Sequence, residues 1–238
     1  MSLFYFQSRS DDVIYFDEEV SHHLLRSMRT KEGDEIFASD GEGRIFTTVA
    51  GTVSGGQLTA RITEEKLVDK SRTIIVACSL IKKESRFEIF MEKTTELGVH
   101  EIVPLICDHT IKPRMRLERS MKIITAAAQQ SFNPYLPRLK TPVSFEEFLD
   151  EKYEGHERFI ATAVDRHEAL PMEKVCSGVL PVVILIGPEG DFSDREKEEA
   201  TEAGWMPVSL GTTRLRTETA AVTCVQIAKS CCHFKIKI

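Results

Sequence analysis

Two apolar runs in this chain stop abruptly at glycine and are each followed by a helix pattern, and this arrangement limits the fold more than any other feature. The first is Ile184-Leu185-Ile186-Gly187-Pro188-Glu189-Gly190. The second is Leu210-Gly211-Thr212-Thr213-Arg214-Leu215-Arg216-Thr217-Glu218-Thr219-Ala220-Ala221. An apolar run without alternation reads as a strand covered on both faces. Glycine at its end permits backbone angles other residues resist and lets a ligand touch main-chain N–H and C=O groups. Strand ends that meet such loops are where α/β proteins hold ligands. The two loops are therefore expected to form two walls of one pocket.

The surrounding rhythm agrees with an α/β chain. From residue 72 onward strands and helices alternate: strands at Thr73–Leu80, Ile102–Ile106, Arg158–Val164, Val182–Ile186 and Pro207–Leu210, with Pro104 more comfortable near an edge or an end. Helices are expected around Phe87, Phe90, Met91 and Leu97, stopped by Gly98, at 116–130, from a Ser193/Glu196 capping box to Ala203, and from Thr217 to His233. Alternation of this kind predicts a mostly parallel sheet covered by helices. Residues 1–70 differ. Short strands at 4–6, 13–16, 34–38, 45–49 and 57–62, separated by turn signals such as Ser39-Asp40-Gly41-Glu42-Gly43, predict a small β-barrel with one helix at Ser21–Thr30. The polar stretch Glu64 to Ser71 reads as a linker, so the expected domains are 1–70 and 71–238.

Composition narrows the function classes. The N-terminus lacks a basic start followed by an apolar core, and no apolar run approaches membrane-spanning length, so a cytoplasmic protein with no membrane partner is expected. Six cysteines show no Cys-x-x-Cys pair; Cys231-Cys232-His233 is the one cluster, and reduced structural thiols with no metal are the expectation. The net charge of −6 argues against indiscriminate nucleic-acid binding, yet the charge is unevenly spread. Residues 108–140 carry 7 basic against 2 acidic side chains, and 211–238 carry 5 against 1. If the Arg114/Arg116/Arg119 run and the Arg214/Arg216 loop converge, they form a phosphate-attracting surface on an acidic protein. A solvated helix face is the plain alternative for the first cluster.

Familiar nucleotide signatures are absent: there is no Gly-x-Gly-x-x-Gly after the first strand, no Gly-x-x-x-x-Gly-Lys-[Ser/Thr], and no Gly-x-Ser-x-Gly elbow. The two glycine loops instead resemble the signature loops of the SPOUT class of RNA methyltransferases. Glu92-Lys93-Thr94-Thr95-Glu96-Leu97-Gly98-Val99, followed by Ile102-Val103-Pro104-Leu105, resembles a Gln-Lys-x-x-Glu-Leu-Gly-Val stretch of the RsmE family. His23-Leu24 through Arg29 and Gly33-Asp34, and Ala127 to Pro137 with Gln130-Ser131, resemble further segments of that family in the same order. The resemblance covers nearly the whole chain.

It implies a C-terminal SPOUT-type trefoil-knotted parallel-sheet domain with an N-terminal PUA-like β-barrel that binds RNA, and a homodimer with the active site near the subunit interface. The implied activity is S-adenosyl-L-methionine-dependent methylation of N3 of a uridine in 16S ribosomal RNA of the small ribosomal subunit. Ribose 2′-O-methylation, or a non-catalytic ribosome-assembly role, are the competing readings. On the cofactor side, the resemblance together with the chemistry points to Leu185, Ile186, Gly187, Pro188, Glu189, Gly190, Leu210, Gly211, Leu215, Arg216, Thr217 and Thr219. The glycines suit close main-chain approach to the adenosine, and the apolar residues suit packing against its ring.

Arg216 and Glu218 are the catalytic candidates. Arginine is no ordinary base at neutral pH; its expected role is to stabilise negative charge developing on a uracil carbonyl. Glu218 or Glu189 is expected to accept hydrogen bonds from the cofactor or the uridine edge, although a carboxylate in the first turn of a helix is also favoured by the helix dipole alone. Arg26, Arg29, Arg114 and Arg116 are the RNA-binding candidates. The chain departs from the family at Gln130-Ser131-Phe132-Asn133, where Asn133 stands in place of the usual arginine. Lys140, Arg138 or Arg114 are the expected substitutes.

Overall fold

A computed structural model describes residues 2–162 and 169–231. Val164, at the expected end of one strand, and Cys232 and His233, at the expected end of the last helix, lie outside the described residues. The chain divides into two compact units, one of Met1–Lys70 with Thr125–Leu136, the other of Ser71–Ile124 with Pro137–Ile238. The return of Thr125–Leu136 to the first unit is not a division that a single cut after residue 70 captures.

In the first unit, β1 (Leu3–Tyr5), β2 (Ser8–Ser10) and β3 (Val13–Tyr15) precede helix α1 (Glu18–His22). Strands β4 (Glu35–Ser39), β5 (Arg44–Ser54) and β6 (Gln57–Leu67) follow. The sheet order is β1-β4-β5-β6-β3-β2, so the two edge strands are consecutive in the chain. Phe6 N donates to Ser39 O and Gln7 N to Tyr15 O, and the short link between β1 and β2 thereby joins the two edges into the expected barrel. Alternate residues of the strands point inward, which buries Phe4, Ile14, Ile36, Phe46, Ala50 and Leu58 around one core.

Two expectations need correction here. Glu64 to Leu67 is not linker but the end of β6, paired with β5 from Thr47↔Glu64 to Arg44↔Leu67. Its charged side chains face solvent and find partners across strands, Glu65 pairing with Arg9 at 3.0 Å and Arg44 at 3.1 Å. The helix expected at Ser21–Thr30 starts earlier, because Asp17 accepts a hydrogen bond from Val20 N at 2.7 Å and caps it. It then widens into a π turn over His23–Ser27 that buries Leu24 and ends before Arg29, whose φ is 58°.

Residues 125–136 complete this unit. Tyr5 Oη donates to Asn133 O at 2.6 Å, Tyr135 Oη donates to Val68 O at 2.8 Å, and Phe37 meets Phe132 edge-on at 5.6 Å. Gly43 explains itself here: a Cβ would lie 2.4 Å from the Tyr135 ring, so no other residue fits.

The second unit is the expected parallel α/β domain. It runs β7 (Ile74–Ser79), α2 (Glu84–Glu96), β8 (Glu101–Ile106), α3 (Leu117–Gln130), β9 (Arg138–Leu139), β10 (Val143–Ser144), α4 (Phe145–Asp150), β11 (Glu157–Ala161), β12 (Leu170–Pro171), α5 (Met172–Val175), β13 (Val182–Ile186), α6 (Asp194–Glu202), β14 (Met206–Ser209) and α7 (Thr217–Cys231). The last residues of α3 belong to the first unit. Sheet order is β10-β8-β7-β13-β11-β14-β12 with β9 also on β8, and every pairing is parallel. β13 sits near the middle and is buried at every residue, as a strand covered on both faces must be.

One face of the sheet, through Ile75, Ala77, Val103, Leu105, Val183 and Leu185, packs on Phe145, Phe148, Phe192, Ala200 and Trp205. α7 lies against β7 and β13 and packs on α2. Pro104 sits in the interior of the sheet rather than at its edge. Leu80 N donates to Leu105 O on the β7 side, and Lys140 N donates to Ile102 O on the other. Alternation therefore turns the nitrogen of Pro104 to the outer side, between the end of β9 at Leu139 and the start of β10 at Val143, where no N–H is required.

Candidate active site

The two glycine loops meet. A cleft of about 550 Å³ lies off the carboxyl ends of the neighbouring strands β11, β13 and β14, and both loops line it. This is the size range of small-molecule and cofactor sites. From the expected set it takes Ile186, Gly187, Pro188, Glu189, Leu210, Gly211, Leu215, Arg216 and Thr217. Residues 210–216 form neither helix nor strand, so their main-chain groups are not committed to a ladder.

Four expected residues do not line the cleft. Leu185 points to the opposite face of β13 from Ile186 and is fully buried among Phe192 and its neighbours. Gly190 has its open side against His109, with a Cβ position 3.4 Å from the imidazole. Thr219 is exposed on the first turn of α7 away from the cleft. Glu218 is turned aside into an ion pair, Arg86 Nε standing 3.6 Å from its Oε1.

The glycines divide their work differently from the expectation. At Gly187 a Cβ would lie 3.0 Å from Phe192 N and 3.1 Å from its ring, so this glycine serves the packing of Phe192. At Gly211, with φ +115°, nothing stands within 4 Å of a Cβ position. That residue alone of the three keeps an open approach to its main chain.

Sequence reasoning missed Arg86, Ala161, Thr162, Asp191 and Ser209 among the lining residues, while Arg214 enters with the loop that was expected to form one wall. The strand ends at 161–162 and 209 follow from sheet order, which no local pattern reveals. Arg86 reaches the cleft because α2 packs on α7. Exposed Arg216 and Arg214 stand on the wall, and Ala220 N donates to Arg216 O at 2.8 Å, so α7 opens at Thr217 immediately behind them. Glu189 Oε1 accepts from Lys82 N at 3.2 Å, which ties the loop after β13 to the loop after β7. Beneath these groups lies the wholly buried Cys78, whose thiol is pushed well up by burial first and by Cys107, Glu218, Cys224 and Glu189 after it.

The two basic clusters occupy different places. Arg114 and Arg116 line a second cleft of about 330 Å³, together with Lys82, Lys112 and Arg119 and an apolar floor that includes Phe87 and Met91. Arg116 holds Glu84 with two hydrogen bonds of 3.0 Å each, and Arg119 holds Glu88 in the same way. The Arg116 guanidinium accordingly keeps the Glu84 carboxyl below its usual range. Only α2 is common to the two clefts, Arg86 facing the first and Glu84, Phe87 and Glu88 the second. Arg26 and Arg29 are exposed on the first unit. Asn133 uses its Oδ1 to accept from Tyr135 N at 3.0 Å, a turn contact within that unit. Among the described residues there is no cluster of metal-ligating side chains, and no helix is long and apolar enough to cross a membrane.

Comparison with known proteins gives this arrangement a family. The family model described as RNA methyltransferase domain matches residues 69–229, and the one described as RNA methyltransferase PUA domain matches residues 16–63. A ribosomal RNA small subunit methyltransferase E from Synechocystis is 34% identical over 207 residues, covering 84% of this chain and 67% of that protein. A crystal structure of ribosomal RNA small subunit methyltransferase E from Neisseria gonorrhoeae, bound to S-adenosyl methionine, superposes with a TM-score of 0.87 at 25% identity over 97% of both chains. A probable rRNA-methyltransferase from Porphyromonas gingivalis superposes with a TM-score of 0.85 at 30% identity, covering 98% of this chain and 99% of that one. With a family model over more than half its length and relatives that match from end to end, the chain belongs to the RsmE family of RNA methyltransferases.

Proposed function

We propose that the chain transfers a methyl group from S-adenosyl-L-methionine to N3 of a uridine in 16S ribosomal RNA of the small ribosomal subunit. The observation that carries this reading is the single cleft shared by the loops at 186–189 and 210–217. Its make-up fits the cofactor: Ile186, Leu210 and Leu215 offer apolar wall, and the open side of Gly211 leaves room for a ligand against the main chain. When bound, the cofactor supplies an electrophilic methyl carbon on a sulfonium centre.

The rest of the chemistry falls to the chain. Main-chain N–H and C=O groups of residues 210–213, which belong to no helix or strand, recognise a purine edge by hydrogen bonds. Attack by uridine N3 requires its proton to leave, and the charge that develops spreads to O2 and O4. Arg216, on the cleft wall, stabilises that charge. Glu189 lines the same cleft as a hydrogen-bond acceptor. Glu218 acts behind it, by fixing Arg86. The trefoil knot, the homodimer and RNA contact through Arg26, Arg29, Arg114 and Arg116 belong to this proposal.

The test is transfer of labelled methyl to 30S particles and to naked 16S RNA, with the modified nucleoside identified after digestion. N3-methyluridine is the expected product. Methyl on ribose oxygen would replace the base assignment with 2′-O chemistry. No transfer, together with no heat of S-adenosylmethionine binding in calorimetry, would leave an RNA-binding module without turnover. Sedimentation of the purified chain tests the dimer.

A further inference from the structure

The second cleft takes no part in methyl transfer itself, although Arg114 and Arg116 on its rim belong to the RNA-binding reading above, and its composition is specific. Its floor is apolar, formed by the half-buried Met115 with the buried Leu80, Ile81, Phe87 and Met91. Five basic side chains stand on its rim against two acidic ones, Glu84 and Glu88. Arg116 and Arg119 are each latched to one of those carboxylates, whereas Lys112 and Arg114 have no ion pair among the described residues. An apolar floor beneath unlatched cations is the chemistry of single-stranded nucleic acid, whose bases lie on apolar or aromatic side chains while the phosphates meet Lys and Arg.

Position points the same way. The cleft shares the first turns of α2 with the methyl-transfer cleft, with Arg86 facing one and Glu84 and Glu88 facing the other. The clefts lie on different faces of α2, and a helix with its side chains is about 10–12 Å across, a span that a strand of a few nucleotides covers. The hydrogen bond from Lys82 N to Glu189 joins the rims of the two clefts.

We propose that this second cleft is a subsite for a nucleotide of single-stranded RNA flanking the target uridine, with its base against Met115 and the two phosphates that flank it on Lys112 and Arg114. The proposal rests on the RNA reading given above. The Arg116–Glu84 and Arg119–Glu88 pairs act as a rim that limits the net positive charge, which keeps the cleft from holding RNA too tightly.

Binding of a fluorescein-labelled octauridylate, read by anisotropy over a salt series, tests the subsite without turnover. Two phosphate contacts on a single strand give a slope of about −1.4 in log K against log salt, and roughly 25-fold in affinity at 0.1 M salt. The variant Lys112→Ala/Arg114→Ala is expected to lose about that much in both quantities, to keep its calorimetric affinity for S-adenosylmethionine, and to show a raised KM for 30S particles. Glu84→Gln/Glu88→Gln, which unlatches Arg116 and Arg119, is expected to bind the oligonucleotide several-fold more tightly with a steeper slope, a gain that misfolding does not mimic. An unchanged slope and affinity in both variants overturns the subsite, as does a wild-type chain that does not bind the oligonucleotide. Absence of methyl transfer from the wild type, with the oligonucleotide results as expected, overturns the enzymatic reading and leaves the subsite standing.

Discussion

Arg86 and Glu218 tie the first turns of two helices together, Nε of one 3.6 Å from Oε1 of the other, and of the two only Arg86 lines the cleft. In the proposed function the acid works at one remove, through Arg86. Arg86→Ala is expected to lower methyl transfer at least tenfold, with Arg86→Lys recovering part of it. Glu218→Gln, which removes charge but keeps shape, is expected to reproduce the loss, and the double variant to be no worse than either single one, since the two groups share one interaction. Thermal stability moves by about 1 kcal/mol or less, the range of a partly exposed pair. Arg216→Ala is expected to abolish transfer with the fold intact. Steady-state kinetics beside circular-dichroism melts read all of these, and full turnover in the variants rejects the assignment.

Gly187→Ala and Gly211→Ala are expected to fail in opposite ways. At Gly187 the added methyl presses on the backbone nitrogen of Phe192, so stability falls by about 1–3 kcal/mol. At Gly211 the φ of +115° disfavours any side chain, and the new methyl also projects into open space on the cleft side. Cofactor affinity in calorimetry should drop for Gly211→Ala by more than its change in Tm explains. Equal losses in both variants would show that the two glycines play one role.

Arg72 has only 4% of its side chain exposed and pairs with Glu157, while also donating to Leu180 O, to Cys176 Sγ and to Ala228 O. It thereby fastens the start of β7 to β11, on the far side of β13, and to α7. Removing one partner of a buried pair leaves an uncompensated charge, which costs about 3–5 kcal/mol. Arg72→Ala is expected to lower the unfolding free energy read from urea titration by that amount while leaving the cleft in place. A shift under 1 kcal/mol counts against a structural role.

Burial raises the thiols of Cys78, Cys107 and Cys224 above their ordinary range. A group whose folded pKa lies above its unfolded one adds stability that is fully present below the unfolded value, about 8.5 for cysteine. It is lost as pH rises beyond that. Stability should therefore fall above about pH 8.5 by up to 1.4 kcal/mol per pH unit for each buried thiol. Iodoacetamide should leave all three unmodified in the native state at pH 7 and label them in urea, which mass spectrometry of digests reads directly.

Legibility in the sequence followed the range of the signal. Val182–Ile186 announced itself by an unbroken apolar run, and α6 by its Ser193/Glu196 box, which the structure forms in both directions. Gly98 stops its helix at φ +83° as a C-terminal glycine should. By contrast β2, β9, β10 and β12 are two or three residues long and owe their existence to the strands beside them. Helix α4 is a miss of another kind: Ser144 and Glu147 form a capping box of the same type as Ser193 and Glu196, and it was there to be read.

Within the cleft the glycine loops were legible because strand ends and glycines are local marks. Arg86 was not. Within Lys82-Lys83-Glu84-Ser85-Arg86 it is one charge among several, and only the packing of α2 on α7 selects it. The same holds for Glu218, whose partner lies 132 positions away in the chain.

The segment 125–136 carries a lesson for anyone wishing to dissect this protein. Phe132, Asn133, Pro134 and Tyr135 complete a barrel whose strands all precede position 71. A fragment beginning at residue 71 therefore carries an orphaned piece of someone else's interior, and a fragment ending at residue 70 leaves Phe37, Tyr5 and Val68 stripped of their covering. The halves are interleaved tenants rather than interchangeable cassettes, and a graft that swaps one of them has to move twelve residues of the other with it.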